Sequence, residues 1–436
     1  MAKKAEAEND KTVSTPRHRR DARVLIFSGK GGVGKTTVAA ATGLRAARQG
    51  KKTIVLSVDV AHSLADAFDV TEEIKRHPRG RPYRVTDHLE IQEIDIQEEI
   101  RTHWKDVHGY FSLLFTQTGI ENVLAEELAI IPGMEDVIAL LYLQQYLHEH
   151  DHDVIILDLA PTGESLRFVS MPDTLNWYMR KVFRFERGLT KLARPLAKRI
   201  ADLPLPDEHY FRAIEGIWGR LEGVDQVLID HDVTSVRLVT NAEKMVFEET
   251  KRAHLYFSLY GVNVDEVIVN KLFLDLPQGE SLPPSLARWT DTHRRTLAAI
   301  RDTFQGIPVS TIPFQSDEVH GIDRLERLGR DLYGTLGQGR DPTLATPTEP
   351  PFRIETAGDR TTFTIRLPGV KKEELELFVE ETEILVMIGS QKRHIPLPKG
   401  LAGKRPEKAG IEGDALVIAF RRGHESPLST SPEAGA

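Results

Sequence analysis

Short apolar runs alternate with longer amphipathic segments from residue 24 to about residue 312. Such runs, bounded by glycine and polar residues, are typical of parallel strands that are buried on both faces. The runs that fit this description span residues 24–27, 53–58, 89–94, 154–157, 236–240, 266–269 and 308–312. Helical segments separate them, and this alternation predicts an α/β fold, a doubly wound parallel sheet.

Two long helical insertions interrupt the alternation, at about residues 97–150 and 171–232. The second insertion contains a basic amphipathic segment, residues 175–200, whose apolar positions recur at helical spacing. In a purely structural interpretation, this segment is a helix that packs on the core with its apolar face and exposes its cationic face to solvent. The functional interpretation is one wall of a binding groove.

The pattern changes after residue 335. Residues 336–351 are rich in Gly, Pro, Thr and Asp and are predicted to be a linker. Residues 352–423 alternate apolar and polar positions with period two, which predicts a small all-β sandwich. The polar ends of the chain, residues 1–22 and 424–436, are predicted to be tails. The α/β domain is therefore expected over residues 23–335.

Composition excludes several classes of protein. Among 436 residues, 57 Lys and Arg stand against 65 Asp and Glu, so the net charge of −8 argues against a nucleic-acid partner. No apolar run approaches the ~20 residues of a membrane-spanning helix, and the amino-terminal residues do not resemble a signal peptide, so we expect a cytoplasmic protein. There are no cysteines, which excludes disulfides, cysteine-ligated zinc and thiolate capture of metalloids.

A phosphate-binding loop follows the first predicted strand and precedes a helix. Residues 29–36, GKGGVGKT, fit the pattern G-x-x-x-x-G-K-[ST] in the structural context that this pattern requires. Backbone N–H groups freed by the glycines, together with the helix N-terminus, attract phosphate oxygens. Lys35 is expected to reach the β- and γ-phosphates, and the Thr36 hydroxyl to ligate Mg²⁺. The predicted nucleotide-binding residues of this loop are Gly29, Lys30, Gly31, Gly32, Val33, Gly34, Lys35, Thr36 and Thr37.

An additional lysine, Lys30, resembles the signature lysine of deviant P-loops. In those loops the lysine reaches across a dimer to the partner's nucleotide, much as an arginine finger supplied in trans. This resemblance implies that the active unit is a homodimer with two ATP molecules at its interface. Lys30 is therefore predicted to be catalytic together with Lys35.

Two carboxylates follow predicted strands and complete a nucleotide switch. Asp59 comes after the second strand, and Asp158 ends a later one. Ligands bind at the carboxyl ends of strands in open α/β sheets, so both carboxylates are expected near the phosphate loop. One can hold the metal while the other orients the attacking water.

Segments found in the same order throughout residues 22–335 resemble those of the arsenical-pump-driving and tail-anchored-protein-targeting ATPases. They are GKGGVGKTT (29–37), VDVAHSLADAF (58–68), IPGMED (131–136), DLAPTGESLRFVSMPDTL (158–175), VTNAEKMVFEETKR (239–252), VIVNKL (267–272) and IPFQSDEVHGIDRL (312–325). The second and fourth are similar to the family's switch I and switch II. An ordered set of matches is far more specific than any single one.

The resemblance implies roles for individual residues. Asp59 would position the hydrolytic water, and Asp158 would face Mg²⁺. Asn270 and Pro313 would contact the adenine, and Glu243 would lie near the partner's nucleotide. The chain would hydrolyse ATP to ADP and phosphate, and ATP-driven closure of the dimer would gate a hydrophobic groove for client helices or a lipid-like ligand, in partnership with a membrane receptor.

Several positions depart from the family pattern. Val60 replaces the usual proline of switch I, and Glu164 replaces the usual histidine of switch II. Leu282 and Ser285 stand where some members carry the zinc-binding C-x-x-C motif, so no zinc clasp is expected. The metalloid-sensing cysteines are also missing, so arsenite activation is not expected.

The carboxy-terminal sandwich resembles an α-crystallin (small heat-shock protein) domain. The resemblance rests on residues 365–389, on HIPLPKG (394–400) and on AGIEGDALVIAF (409–420). Residues 389–394 leave no room for a swapped dimerisation strand, and no I-x-I tail follows Phe420. The domain is therefore expected to be an accessory module, as in a branch of the family that lacks the zinc motif.

Three alternatives to a client-binding ATPase remain. One is an ATP-independent holdase that acts through the α-crystallin-like domain, which deletion of residues 336–436 would separate from the ATPase. Another is a pump-driving ATPase without a metalloid site. A partition-type ATPase with the same deviant loop ranks last, because it would need a DNA-binding surface or a terminal membrane-targeting helix.

Overall fold

The computed structural model describes residues 22–58, 63–103, 133–183, 208–273 and 283–421. The first part comprises β1 (Arg23–Ser28), α1 (Lys35–Arg48), β2 (Thr53–Ser57), α2 (Ser63–Phe68), α3 (Thr71–Arg76), β3 (Tyr83–Thr86), β4 (Leu89–Glu93), α4 (Ile96–His103), α5 (Met134–Glu149) and β5 (Val154–Asp158). It continues with α6 (Thr162–Tyr178), a π-helical turn (Met179–Phe183), α7 (Glu208–Leu221), α8 (Val224–Ile229), β6 (Thr234–Asn241), α9 (Lys244–Tyr260), β7 (Val264–Leu272), α10 (Pro284–Thr303), β8 (Val309–Pro313) and α11 (Ile322–Tyr333).

These strands form one eight-stranded sheet in the order β3-β4-β2-β5-β1-β6-β7-β8. Every neighbouring pair is parallel except β3 and β4, which are antiparallel. The predicted α/β fold is confirmed, and each predicted apolar run forms a strand. The edge strand β3 was missed because its residues alternate between half-buried and exposed, without a continuous apolar run.

Two hydrophobic cores cover the two faces of this sheet. Successive residues of β1 show why, since Leu25 and Phe27 belong to one core while Val24 and Ile26 belong to the other. Strands buried on both faces need apolar side chains at every position, which explains the unbroken runs in the sequence. The packing fixes the carboxyl ends of β1, β2, β5 and β6 along one edge.

Residues 352–421 form the β-module, a sandwich of two antiparallel sheets. Its strands are β9 (Phe352–Ala357), β10 (Arg360–Arg366), β11 (Leu375–Val379), β12 (Glu383–Ile388), β13 (Gln391–Pro396), β14 (Lys408–Glu412) and β15 (Ala415–Arg421). One sheet has the order β14-β15-β10-β9, and the other β11-β12-β13. The predicted all-β architecture is confirmed. No continuous apolar run marks the edge strands β9 and β14, because all of their residues are exposed or half-buried.

The segment between the two domains is fastened to the α/β domain by hydrogen bonds and ion pairs. Arg340 forms an ion pair with the buried Glu266, and its guanidinium lies 4.8 Å from the ring centre of Tyr333. Further along, Asp341 accepts a hydrogen bond from Lys51 (2.7 Å). These contacts hold the predicted linker residues against the amino-terminal end of the sheet, so the β-module emerges from a fixed point.

The β-module packs on α9, whose residue His254 gives the interface a pH dependence. Burial lowers the pKa of His254 from 6.5 to about 4, an effect that Arg366 of the module enhances and Asp414 opposes. Between these two pH values the unfolded chain binds a proton that the folded chain does not, so stability falls as the pH drops from 6.5 towards 4. The loss from this group amounts to about 3 kcal/mol at most.

We therefore expect His254→Gln to remove this part of the acid sensitivity. Urea unfolding at several pH values between 7 and 4.5 measures the free energy of unfolding of both proteins. As the pH falls, this free energy should decrease more for the parent than for the variant. Parallel pH profiles for the two proteins would contradict a neutral, half-buried His254.

Candidate functional site

The loop from Gly29 to Gly34 joins β1 to α1, and two of its glycines have no room for a side chain. A Cβ on Gly29 would lie 2.1 Å from the carbonyl oxygen of Val239 on β6. A Cβ on Gly34 would lie 2.5 Å from Nδ2 of Asn270, and Gly34 also has a φ of +93°, which favours glycine. The glycine pattern is therefore required by close backbone packing as well as by phosphate binding.

The loop delivers its two functional side chains at the N-terminus of α1. Lys35, the first residue of α1, is 6% exposed, and its Nζ donates a hydrogen bond to the carbonyl oxygen of Lys30 (3.3 Å). The Thr36 hydroxyl lies 3.1 Å from the hydroxyl of Ser63, the first residue of α2. Thr37 is half-buried on the next position of the helix. Ser63 was not singled out in the sequence, although it lies within the switch I match.

Asp158 is the last residue of β5 and lies at the edge of the sheet where the carboxyl ends of β1, β2, β5 and β6 meet. Its backbone pairs in register with Phe27 of β1 on one side and with Ser57 of β2 on the other, and the residue is fully buried. This position next to the P-loop strand agrees with a role facing Mg²⁺. Asp59 and Val60 lie outside the described residues, so the role of Asp59 stays a prediction from sequence.

Buried polar atoms at this edge fit a ligand rich in oxygen atoms and a metal ion. Four side-chain oxygens here have no hydrogen-bond partner within the described part of the chain, those of Ser28, Ser57, Thr162 and Asn241. Buried polar groups in proteins are nearly always paired, so a cluster of such atoms indicates a bound partner. Together with the tight glycine loop, these atoms fit the triphosphate and Mg²⁺ that the sequence predicts.

Asn270 fastens the end of β7 to the phosphate loop. Its Nδ2 donates to the carbonyl oxygen of Val33 (2.9 Å), and its Oδ1 accepts from the backbone N–H of Lys271 (2.8 Å). Lys271 has a φ of +58°, and its Nζ donates to the carbonyl oxygen of Gly32 (2.8 Å). Sequence analysis missed Lys271, whose left-handed backbone is uncommon for a residue with a side chain.

Pro313 ends β8 next to β7, with Leu272 as its backbone partner. The following residue, Phe314, stacks on Phe273 with 4.4 Å between ring centres and is 52% exposed. The predicted adenine contacts, Asn270 and Pro313, thus lie at the ends of neighbouring strands beside an aromatic pair, of which Phe314 is exposed and Phe273 half-buried. The sequence signal for this pair was the phenylalanine directly after Pro313.

Glu243 and Lys30 mark the side of the site that is predicted to meet a second subunit. Glu243 is exposed and precedes the first residue of α9. Two turns along this helix, Glu249 lies 3.7 Å from Nζ of Lys30, which is 37% exposed. Within one chain, therefore, α9 holds Lys30 at the surface.

The helix that follows Asp158 is tied to α5 by a charged cluster. Arg167 on α6 donates hydrogen bonds to Glu135 and Asp136 at the start of α5. Burial raises the pKa of Asp136 to about 6, and Arg167 opposes this shift. The contact joins the IPGMED and switch II matches, and its arginine was not singled out in the sequence.

A cavity of about 220 Å³ lies among the helices beyond this cluster. Its lining comes from α5 to α8 and the residues between them and is mixed. The apolar part is formed by Leu140, Pro172, Leu175, Trp218, Leu221 and Val224, and the polar part by Asn176, Glu222, Asp225 and Gln226. Of the predicted basic amphipathic helix 175–200, the structure describes only residues 175–183. Within this part, α6 ends at Tyr178 and the π-helical turn follows. The remainder, like most of the first helical insertion, lies outside the described residues.

Among the helices that the structure does describe, none has the length and apolar character needed to cross a membrane.

Comparison with known protein families assigns both domains. Residues 22–334 match the family described as anion-transporting ATPase. Residues 358–420 match the domain described as an HSP20-like domain found in ArsA. The two matches together cover the α/β domain and the β-module.

Individual relatives agree with these matches. A protein of Aquifex aeolicus described as an arsenical pump-driving ATPase is 48% identical over 396 residues, which cover 91% of this chain and 99% of the relative. A protein of Chlorobaculum tepidum with the same description is 35% identical, over 91% of this chain and 96% of the relative. The ATPase GET3C of Arabidopsis thaliana is 28% identical, over 70% of this chain and 81% of the relative.

Proposed function

The chain belongs to the anion-transporting ATPase family, and from this premise we propose that it is a homodimeric, ATP-driven switch that opens and closes a hydrophobic groove for client helices. Members of the family are ATPases, and this chain is an ATP hydrolase. The dimer, the client and the residues that link the nucleotide state to client binding are the parts that we propose beyond the family assignment.

The proposed nucleotide site uses residues at the carboxyl ends of five strands, β1, β2, β5, β7 and β8. The P-loop backbone and Lys35 bind the phosphates, and Thr36 and Asp158 would hold Mg²⁺. The metal, when bound, supplies charge neutralisation for the developing phosphoryl oxygens. Asp59 orients the attacking water, and Lys30 stabilises the charge on the partner subunit's nucleotide. Asn270 and Pro313 bind the adenine.

One observation carries the proposed coupling of this site to a groove. Helix α6 begins at Thr162, four residues after Asp158, and its distal part, including Pro172 and Leu175, lines the cavity between the helices. A shift at the switch II end is therefore transmitted along a single helix to the helical subdomain. The helix ends in a π-helical turn, a feature that is frequent at functional sites.

Hydrophobic helices are the proposed client because the chain resembles the tail-anchored-protein-targeting ATPases. Two similar proteins, GET3C and the ATPase get3 of Schizosaccharomyces japonicus, each match 70% of this chain. We propose a cytoplasmic protein that takes a client helix or a lipid-like ligand and delivers it to a membrane receptor. Relatives described as arsenical pump-driving ATPases favour a pump-driving role as the second candidate, but this chain has no cysteine thiolate to bind arsenite.

The dimer is tested by measuring native mass with ADP and with a slowly hydrolysed ATP analogue. We expect the analogue to raise the fraction at twice the 49.0 kDa chain mass, because Lys30 of each subunit then binds the nucleotide of the other. Lys30→Ala should lose this increase, whereas Lys52→Ala, which removes an exposed lysine directly before β2 at the opposite end of the strands, should retain it. Equal dimer fractions with both nucleotides in the parent protein would contradict nucleotide-driven closure.

A further inference from the structure

Strand β13 of the β-module lies against the distal ends of two ATPase helices, α6 and α9. Tyr260, the last residue of α9, donates its hydroxyl to the carbonyl oxygen of Lys392 (3.1 Å). On the other side, the ring of Trp177 near the end of α6 lies 6.0 Å, centre to centre, from the ring of His394. One strand of the module thus bridges two helices of the ATPase domain.

Arg393, between these two contacts, caps the C-terminus of α9. Its guanidinium donates to the carbonyl oxygen of Leu259, one of the last four helical carbonyls, which have no partner within the helix. The guanidinium also stacks 4.4 Å from the ring centre of Phe352, and the side chain is only 6% exposed. Gly261 leaves room for it, since a Cβ there would lie 3.0 Å from Nη2.

The helix α6 supplies the opposing charge. Asp173, one turn before Trp177, is half-buried, and burial raises its pKa while Arg393 opposes that shift. Burial correspondingly lowers the pKa of Arg393 to about 10, against the effect of Asp173. The carboxylate partly compensates the buried cation, and this attraction adds to the Trp177–His394 ring contact that joins β13 to α6.

Both braced helices begin at the nucleotide edge of the sheet. Helix α6 starts at Thr162, within the switch II match, and α9 carries Glu249, the partner of Lys30. Each helix has 17 residues and is therefore about 25 Å long. The β-module contacts the far ends of the two helices whose near ends flank the phosphate loop.

We propose that β13 is a brace that fixes α6 relative to α9, and that Arg393 is a positioning residue for ATP hydrolysis. The module thereby sets the turnover of the ATPase in cis, without touching nucleotide. This inference rests on the ATPase activity of the chain and not on the client groove. Hydrolysis requires the switch II residues to be placed to within about 1 Å, whereas nucleotide binding depends chiefly on the P-loop.

Arg393→Met is expected to lower kcat for ATP hydrolysis about tenfold and to leave KM for ATP within about twofold of the parent value. Arg393→Lys, which still donates to the helix carbonyl, should recover part of the loss. Arg405→Met is the matched control, because Arg405 is an exposed arginine of the same module, and it should leave both constants unchanged. Unchanged kcat in a folded Arg393→Met protein, or equal changes in kcat and KM, would overturn the proposal.

If the β13 contacts differ in free energy between nucleotide states, the bound nucleotide must in turn change the stability of β13. A second measurement on the unaltered protein therefore decides the case if Arg393→Met fails to fold. Hydrogen exchange of the β13 amides, residues 391–395, is compared between the ADP complex and the complex with a slowly hydrolysed ATP analogue. We expect their protection to differ between the two states, while the distant strand β14 exchanges equally. Identical protection of β13 in both complexes would contradict a brace that responds to the switch helices.

Discussion

Lys35→Ala is expected to lower the rate of ATP hydrolysis by about 10²–10³-fold and to weaken ATP binding as well. The lysine is 6% exposed at the first position of α1, where its ammonium group lies beside the P-loop carbonyl of Lys30. Nothing else in that loop supplies a mobile positive charge at the same place, and the glycine backbone cannot replace it. Phosphate release and the affinity for a fluorescent ATP analogue measure the two losses.

The control for this variant is Lys52→Ala, which removes an exposed lysine just before β2. It lowers the positive charge of the chain by the same amount and should leave both quantities at the parent level. Circular dichroism of both variants reports whether the sheet is intact. Parent-like hydrolysis in folded Lys35→Ala would contradict the assignment of this loop as the phosphate site.

Asp59→Asn is expected to separate binding from turnover. A carboxylate that orients and activates the attacking water contributes about 10²–10⁴-fold to the rate, whereas an amide of the same shape can neither accept the proton nor keep the charge. Hydrolysis should fall by that factor, while ATP affinity, which depends on the P-loop, should change little. Single-turnover hydrolysis and equilibrium binding of nucleotide measure the two effects.

Asp69→Asn is the matched control for that variant. Asp69 is an exposed carboxylate ten residues further along the chain, with a φ of +58°, a conformation that asparagine also adopts readily. The substitution makes the same change in charge without approaching the nucleotide edge, and parent-like turnover is expected. Full turnover in Asp59→Asn would remove Asp59 from the mechanism.

The central strands and the phosphate loop could be predicted because each has a strong local signal. Strands buried on both faces must be apolar at nearly every position, as Val24 to Phe27 are. In the P-loop, Gly29 and Gly34 are required because a Cβ at either position would lie within 3 Å of a neighbouring atom. Edge strands such as β3, β9 and β14 are half-solvated, so their sequences carry no comparable pattern. Lys271 and Ser63 act through contacts between segments distant in sequence, and composition around them indicated nothing unusual.

The contact between the β-module and the ATPase domain could not be predicted for a similar reason. Arg393 lies in a strand whose neighbours read as surface residues, and its partner is a backbone carbonyl of Leu259 more than a hundred positions earlier. Leu259 itself belongs to the hydrophobic core of the module. Deletion of residues 336–436 would therefore expose a buried face of α9, and single substitutions at Arg393 separate the roles of the two domains more cleanly.

The most direct test of the central claim is the affinity for a labelled transmembrane-helix peptide, measured with ADP and with a slowly hydrolysed ATP analogue. Tighter binding is expected with the analogue, and Lys30→Ala should abolish the difference because it prevents closure of the dimer. A polar peptide of equal length is the control and should not bind in either state. Equal affinity for the hydrophobic peptide in both nucleotide states, or no binding at all, would contradict a client groove gated by ATP.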